Sequence, residues 1–192
     1  MTVLPPDPSE NPARGAIVSR MDGREFRSVY ESWKLRLEAA LRASEGPWAI
    51  VGIKRRGAVL ASRLRAALHS ESLPLLYGEI DISLYRDDYH LRTEKPMVLG
   101  SEIAFRVDGV KILLVDDVLY TGRTVRAAME LLLDFGRPRW ITLAVFIDRG
   151  HRELPIRADV VGKEIATEQS DQVLVRLSEL GEVDGVEVVR RS

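Results

Sequence analysis

The chain has 192 residues, a net charge of -1, 45% hydrophobic and 30% charged residues, and no cysteine. This length and composition fit a single folded domain and exclude collagen-like, low-complexity and wholly disordered chains. No apolar run approaches the roughly 18 residues that a membrane span requires, so we expect a cytoplasmic protein without membrane contact. Because cysteine is absent, any metal must be held by oxygen or nitrogen ligands, which makes magnesium the leading candidate.

The beginning of the chain predicts a tail followed by a helix. Residues 1–16 contain four prolines and no hydrophobic periodicity, which predicts a disordered tail preceding a single domain of residues 17–192. From residue 23 to residue 43, apolar side chains such as Phe26, Trp33 and Leu37 follow three-and-four spacing. This spacing is typical of an amphipathic helix.

Strands and helices alternate along the rest of the chain. The predicted elements are a strand at 48–53, a helix that follows the turn at 54–57 and ends near 69, an extended stretch at 73–85, a mobile arm at 86–104, a strand at 110–115, a helix from about 125 to 135, a strand at 140–147, and short strands at 160–165, 173–177 and 186–189. The alternation predicts an α/β fold with a mostly parallel twisted sheet flanked by helices, and the last three strands form a lid or extra sheet.

Charged turns follow three of the predicted strands. They begin at Lys54, at Asp116 and at Asp148. Functional groups in parallel α/β sheets collect at the carboxyl ends of the strands. We therefore expect these turns to meet at one edge of the sheet.

The segment from Val110 to Thr124 carries the most specific chemistry. An apolar strand runs into Asp116 and Asp117, and then into the polar turn 118–124 before a helix. A turn at a helix start presents unpaired amides and partial positive charge, which suit a phosphate monoester. The two carboxylates, placed just before that turn, suit the hydroxyls of an attached ribose. An isolated Asp-Asp pair would indicate only a helix start, but the whole arrangement predicts a ribose 5-phosphate site.

This segment resembles the phosphoribosyl pyrophosphate signature of the type I phosphoribosyltransferases. Four blocks are also similar to the PyrR family, which comprises bacterial bifunctional regulators of pyrimidine operons that are uracil phosphoribosyltransferases as well. The blocks are VGIKRRG at 51–57, DISLYRDD at 81–88, DVLYTGRT at 117–124 and DRGHRELPIRAD at 148–159. The resemblance implies the type I phosphoribosyltransferase fold, with a flexible arm and a small C-terminal hood.

The resemblance also implies roles for individual residues. Asp116, Asp117 and Arg149 are expected to be catalytic, and the two aspartates to hold Mg²⁺ mainly through water. The expected substrate-binding residues are Arg55, Arg56 and Gly57 for the pyrophosphate, Arg86 in the flexible loop, Val118, Leu119, Tyr120, Thr121, Gly122, Arg123 and Thr124 for the ribose 5-phosphate, Asp148 beside the base and pyrophosphate, and Ile165 in a hood at 162–165 that recognises uracil.

Family membership would add a second activity. His151, Arg152 and Arg157 are expected to face outward and bind the leader messenger RNA of pyrimidine operons when UMP is bound, and the protein to form a dimer or a higher homo-oligomer. Two alternatives stay open: a 6-oxopurine phosphoribosyltransferase, because the hood sets the base, and a nucleotide-sensing RNA-binding regulator with weak catalysis.

Overall fold

The computed structural model describes residues 15–83 and 100–191. In chain order the elements are β1 Gly15–Met21, α1 Gly23–Arg42, β2 Trp48–Ile53, α2 Arg56–Leu68, β3 Leu75–Ile80, β4 Glu102–Ile103, β5 Lys111–Leu119, α3 Arg123–Asp134, β6 Trp140–Asp148, β7 Val160–Glu164, β8 Asp171–Arg176, a short 3-10 helix Ser178–Leu180 and β9 Gly185–Arg191.

Six of these strands form the main sheet, in the order β4-β3-β2-β5-β6-β7. Only β4 runs antiparallel to its neighbour in this sheet. Side chains alternate between two cores: on β2, Ile50 packs with α1 and α2, whereas Ala49 and Val51 pack with α3. The predicted mostly parallel sheet with helices on both faces is therefore confirmed. No helix in the described part of the chain is long and apolar enough to span a membrane.

A second, antiparallel sheet has the order β1-β9-β8 and is called the hood sheet below. The sequence did not predict β1. Only Met21 of this strand is buried, so its sequence lacks the alternation of apolar and polar residues that indicates a strand. The predicted tail is wrong at its end, since Gly15 and Ala16 pair with Arg191 and Arg190. Residues 1–14, the rest of that tail, lie outside the described residues.

Arg63 on α2 attaches the hood sheet to the main domain. Its guanidinium donates to the carboxylates of Glu179 and Asp184, which lie in the connection between β8 and β9, and to the Ser178 hydroxyl. It also stacks over the ring of Phe26 at 5.9 Å from the centroid. The hood sheet is thereby tied to the helix that follows β2.

The strand β5 is longer than predicted. Its pairing with β6 continues through Val118 with Ile147 and Leu119 with Asp148, so the acids at 116 and 117 lie in the strand and not in a turn. The helix α3 starts at Arg123, two residues earlier than expected. Backbone hydrogen bonds to β6 thus extend the strand through polar residues that were predicted to form a turn. The turn itself contains only residues 120–122. Of the predicted mobile arm, 102–103 form β4, and 86–99 lie outside the described residues.

Candidate active site

The three charged turns lie together at the carboxyl edge of the main sheet. Gly57 packs so closely on β5 that a Cβ there would lie 2.6 Å from the Val115 carbonyl oxygen and 3.2 Å from Asp116 Oδ1. On the other side of β5, Leu119 is paired with Asp148. Only glycine fits position 57, because any side chain would collide with the β5 backbone. The loop after β2 is therefore held directly against the acid pair.

Asp116 and Asp117 form a linked pair at the end of β5. Asp116 is buried, and its Oδ1 accepts the Asp117 backbone N–H at 2.9 Å. Burial raises the pKa of the Asp117 carboxyl, while the nearby positive charge of Arg56 opposes that rise. The cost of charging Asp117 in this site is a reason to expect a ligand that interacts with its carboxylate.

The turn after β5 and the first turn of α3, residues 120–124, are called the phosphate loop below. Gly122 is the N-cap of α3, with a φ of +93° and no side-chain cap. The first amides of a helix have no partner inside the helix and can bind an anion. In this loop the Arg123 amide makes a long contact of 3.4 Å with Thr121 Oγ1. The loop is fixed from outside, because the Thr121 carbonyl accepts the amides of Glu153 and Leu154 at 3.0 and 3.1 Å.

The basic loop after β2 has two arginines in different settings. Arg55 is exposed and lines a cavity of about 330 Å³ with Lys54, Glu79 and Glu179. Arg56 donates from Nε to the Val175 carbonyl of β8 at 2.7 Å. Arg56 therefore connects the acid pair to the hood sheet, whereas Arg55 lines the cavity beside α2.

Asp148 and Arg152 form an ion pair within the loop after β6. Arg152 also donates to the carbonyls of Tyr120, Gly150 and Ile156 at 2.9 to 3.0 Å, and Asp148 Oδ1 accepts the Gly150 amide. The expectation that Arg152 faces outward is wrong. Its guanidinium points into the loop, because the Asp148 carboxylate and the three carbonyls supply its hydrogen-bond acceptors there. His151 and Arg157 are exposed as expected.

The structure separates the remaining expected site residues. Leu119 is buried in the core beside α3, and Val118 packs against the opposite core, so these two side chains do not face the phosphate loop. Arg123 is directed to Glu153, with 2.7 Å between Nε and Oε2. Ile165 is half-buried and donates its amide to the Asp148 carbonyl at 2.9 Å. Arg86 lies outside the described residues.

Arg149 is buried, and its guanidinium donates to the Thr167 hydroxyl and to the carbonyls of Glu168 and Asp171. These contacts do not support the expectation that it is a catalytic residue. Sequence reasoning missed Thr167, whose hydroxyl donates to the Arg149 carbonyl at 3.1 Å, and the polar run at 167–171 between two predicted strands was the available signal.

The acid pair fits a magnesium ion that keeps most of its water. The two carboxylates are hard oxygen donors, which Mg²⁺ prefers, and an ion bridging substrate oxygens needs only one or two protein ligands. Among the described residues, no group of three or more histidine or acidic side chains has the spacing of a metal site. The acid pair therefore fits an ion that also binds oxygens of an anionic substrate.

Comparison with known families gives one clear match. Residues 32–177 match the family described as "Phosphoribosyl transferase domain". Two similar relatives carry the name "Bifunctional protein PyrR". The relative from Roseiflexus sp. (strain RS-1) is 56% identical over 144 residues, which cover 74% of this chain and 79% of the relative. The relative from Bacillus subtilis (strain 168) is 53% identical over 142 residues, which cover 72% and 78%.

Solved structures with a similar fold include two hypoxanthine phosphoribosyltransferases. The Staphylococcus aureus structure (orthorhombic form) has a TM-score of 0.64 at 18% identity and covers 96% of each chain. The Trypanosoma cruzi structure has a TM-score of 0.62 at 17% identity and covers 92% of this chain and 97% of that one. At such identities the likeness establishes the fold alone.

Proposed function

The chain belongs to the phosphoribosyl transferase domain family and, within it, to the family of proteins named bifunctional protein PyrR; from this premise we propose that it converts uracil and phosphoribosyl pyrophosphate to UMP and pyrophosphate and regulates pyrimidine genes by binding their leader RNA. The chain is a phosphoribosyltransferase. The single observation that carries the assignment of the site is the uncapped start of α3 directly beyond the paired acids of β5.

We propose that the 5-phosphate binds the amides of the phosphate loop. The helix dipole of α3 adds partial positive charge at the same point, and Thr121 and Thr124 supply hydroxyl donors. Gly122 leaves the backbone open to the anion. These amides and hydroxyls hold the phosphate throughout the reaction. The binding energy of the phosphate therefore fixes the position of the ribose for attack.

The ribose of the bound substrate would lie over Asp116 and Asp117, whose carboxylates accept hydrogen bonds from its two hydroxyls. Phosphoribosyl transfer passes through a ribose with oxocarbenium character, and neighbouring carboxylates stabilise that developing positive charge. Burial raises the pKa of Asp117, and a hydroxyl that donates to its carboxylate favours the charged form and so opposes that rise.

The leaving pyrophosphate is assigned to the loop after β2. Arg55 opens into the cavity beside α2, and Lys54 adds a second positive charge next to it. Asp116 and Asp117 would hold Mg²⁺ mainly through water, and the ion would neutralise the charge of the leaving group. Arg56 is already bonded to β8, so we assign it to balancing the charge of Asp117 more than to contacting pyrophosphate.

The base site is assigned to the segment around Ile165, at the edge where β7 ends beside Asp148. Main-chain groups there would recognise uracil. The regulatory activity is assigned to the exposed His151 and Arg157, because arginine suits phosphate and unpaired loop bases of RNA. We further propose that the protein acts in the cytoplasm as a dimer or a higher homo-oligomer, as its family membership implies.

One sample tests both activities. Formation of UMP from uracil and phosphoribosyl pyrophosphate with Mg²⁺ is followed first, with hypoxanthine and guanine as competing bases. Binding of a pyrimidine-operon leader RNA with and without UMP is then measured on the same preparation. The proposal expects uracil turnover and UMP-dependent RNA binding. Turnover of a purine base alone, or none with any base, would contradict it.

A further inference from the structure

Residues 165–171, between the end of β7 and the start of β8, are called the hood loop below. Arg149, in the turn after β6, forms hydrogen bonds with this loop. Its guanidinium donates to the carbonyls of Asp171 at 2.6 Å and Glu168 at 2.8 Å, and to the Thr167 hydroxyl at 3.3 Å. Thr167 donates back to the Arg149 carbonyl. One side chain therefore fixes three successive parts of the hood loop.

The same guanidinium lies over the ring of a residue in the phosphate loop. The Cζ atom of Arg149 is 4.0 Å from the centroid of the Tyr120 ring, which is a close cation-π contact. The Tyr120 hydroxyl donates to the Gln169 carbonyl at 3.3 Å. Tyr120 and Arg149 thus form a continuous contact from the phosphate loop to the hood loop.

Arg149 is shielded from solvent, with 6% of its surface exposed. Its Nε, Nη1 and Nη2 atoms each donate to the hood loop, and one face of its plane is covered by the tyrosine. A guanidinium used in this way has little left for a substrate. Arginine is suited to the task, because its planar fork satisfies several carbonyls while stacking on a ring, which lysine does not.

We propose that Arg149 is a positioning residue that sets the spacing between the phosphate loop and the hood loop, and that it thereby places uracil against the ribose. The inference rests on the proposed function, in which the 5-phosphate is bound by one loop and the base by segments around the other. The attacking ring nitrogen must approach a sugar that is fixed by its phosphate. A change in the spacing of the two loops therefore changes how well uracil fits against that sugar.

Ligand binding and kinetics together test the proposal. In wild-type protein and in the Arg149→Lys, Tyr120→Leu and Tyr120→Phe variants, we would measure the affinity of ribose 5-phosphate and of UMP by calorimetry. The KM values for uracil and phosphoribosyl pyrophosphate would be measured alongside. Arg126→Gln is the matched control, because Arg126 is an exposed arginine on α3 that pairs only with Glu130 among the described side chains.

We expect Arg149→Lys and Tyr120→Leu to weaken UMP binding and raise the KM for uracil about tenfold or more. In Arg149→Lys, ribose 5-phosphate affinity and the KM for phosphoribosyl pyrophosphate should stay within about threefold. Tyr120→Phe keeps the ring beside Arg149 and removes only the hydroxyl bond to Gln169, so its KM for uracil should lie between those of wild type and Tyr120→Leu. Because the two residues act through one contact, the double variant should be no worse than the more affected single variant.

Three outcomes would overturn the proposal. A fall in kcat with an unchanged KM for uracil would show that Arg149 acts on the reacting groups. An equal loss of ribose 5-phosphate and UMP affinity would show that it only supports the fold. Unchanged uracil kinetics in Tyr120→Leu would exclude the stacked contact even if Arg149→Lys failed to fold. If wild-type protein bound neither ligand, the proposed function itself would fail, which is a distinct result.

Discussion

Replacing Asp117 with asparagine tests the chemistry of the acid pair. The substitution keeps the size and the acceptor oxygen of the side chain but removes its charge. Hydrogen bonds to a charged group contribute about 1.5 to 3 kcal/mol. If the charged carboxylate binds a ribose hydroxyl and the developing positive charge, kcat/KM should fall roughly 10- to 150-fold.

The stability of this variant should move in the opposite direction to its activity. Burial raises the folded-state pKa of Asp117 above its ordinary value of 3.8. A carboxyl with a raised pKa favours the folded state below pH 3.8, and this contribution is lost as the pH rises through the raised pKa. Above pH 3.8 the raised pKa therefore costs the fold some stability, and at pH 7 Asp117→Asn should unfold at the same temperature as wild type or higher.

The assay pairs initial rates of UMP formation at saturating uracil with thermal unfolding at pH 7. Asp134→Asn is a suitable control, since Asp134 lies at the far end of α3 from the phosphate loop. Wild-type kcat/KM in a folded Asp117→Asn protein would remove Asp117 from the site. A large loss of thermal stability would show that its carboxylate is needed for the fold, and the reasoning from its pKa would be refuted.

Four further expectations concern other parts of the molecule. Gly122→Ala forces a side chain into a φ of +93°, with Cβ 3.3 Å from Ile156, and should lower the free energy of unfolding in urea by about 1 to 2 kcal/mol. Arg63 lowers the pKa of Glu179 below 4.5, so this contact stabilises the fold above pH 4.5 and the stabilisation is lost as the pH falls through the lowered pKa. In Arg63→Met the unfolding midpoint should therefore depend less on pH in that range. Arg157→Ala should weaken leader-RNA binding and its salt dependence without changing uracil turnover, measured by filter binding at two salt concentrations. Chelation of Mg²⁺ should abolish UMP formation without changing the circular dichroism spectrum.

Each of these expectations has an opposing result. Unchanged stability in Gly122→Ala would mean that the phosphate loop is not held in the left-handed conformation. An unaltered pH profile in Arg63→Met would separate the hood contact from the titration of Glu179. RNA affinity equal to wild type in Arg157→Ala would place the regulatory surface elsewhere. Turnover that survives chelation would exclude the metal from the reaction.

The sequence predicted the central strands of the main sheet well, because β2 and most of β5 are buried on both faces. It was wrong at the edge, where the segment at 160–165, assigned to a lid or extra sheet, forms β7 of the main sheet with less burial. The strand at 48–53 was placed with its observed ends, since a continuous apolar run bounded by a basic turn has few other interpretations. The strand β1 escaped prediction because six of its seven residues are exposed and its position depends on backbone pairing with β9. Periodicity reports burial, and it says little about a strand that is held only by its neighbours.

Site residues were predicted by type more reliably than by orientation. The placement of Asp116 and Asp117 beside a helix start followed from local sequence. The inward direction of Arg152 and the burial of Arg149 did not, because both depend on carbonyls from segments that are distant in sequence. Local sequence predicts that an arginine in a charged turn is exposed, because the carbonyls that can bury it belong to other parts of the chain.

The position of a bound nucleotide tests the central claim most directly. A crystal structure of the protein with UMP should show the phosphate on the amides of Thr121 to Thr124 and the ribose hydroxyls on Asp116 and Asp117. A nucleotide bound elsewhere, for example in the cavity beside Arg55 and Glu179, with the start of α3 left empty, would contradict the account.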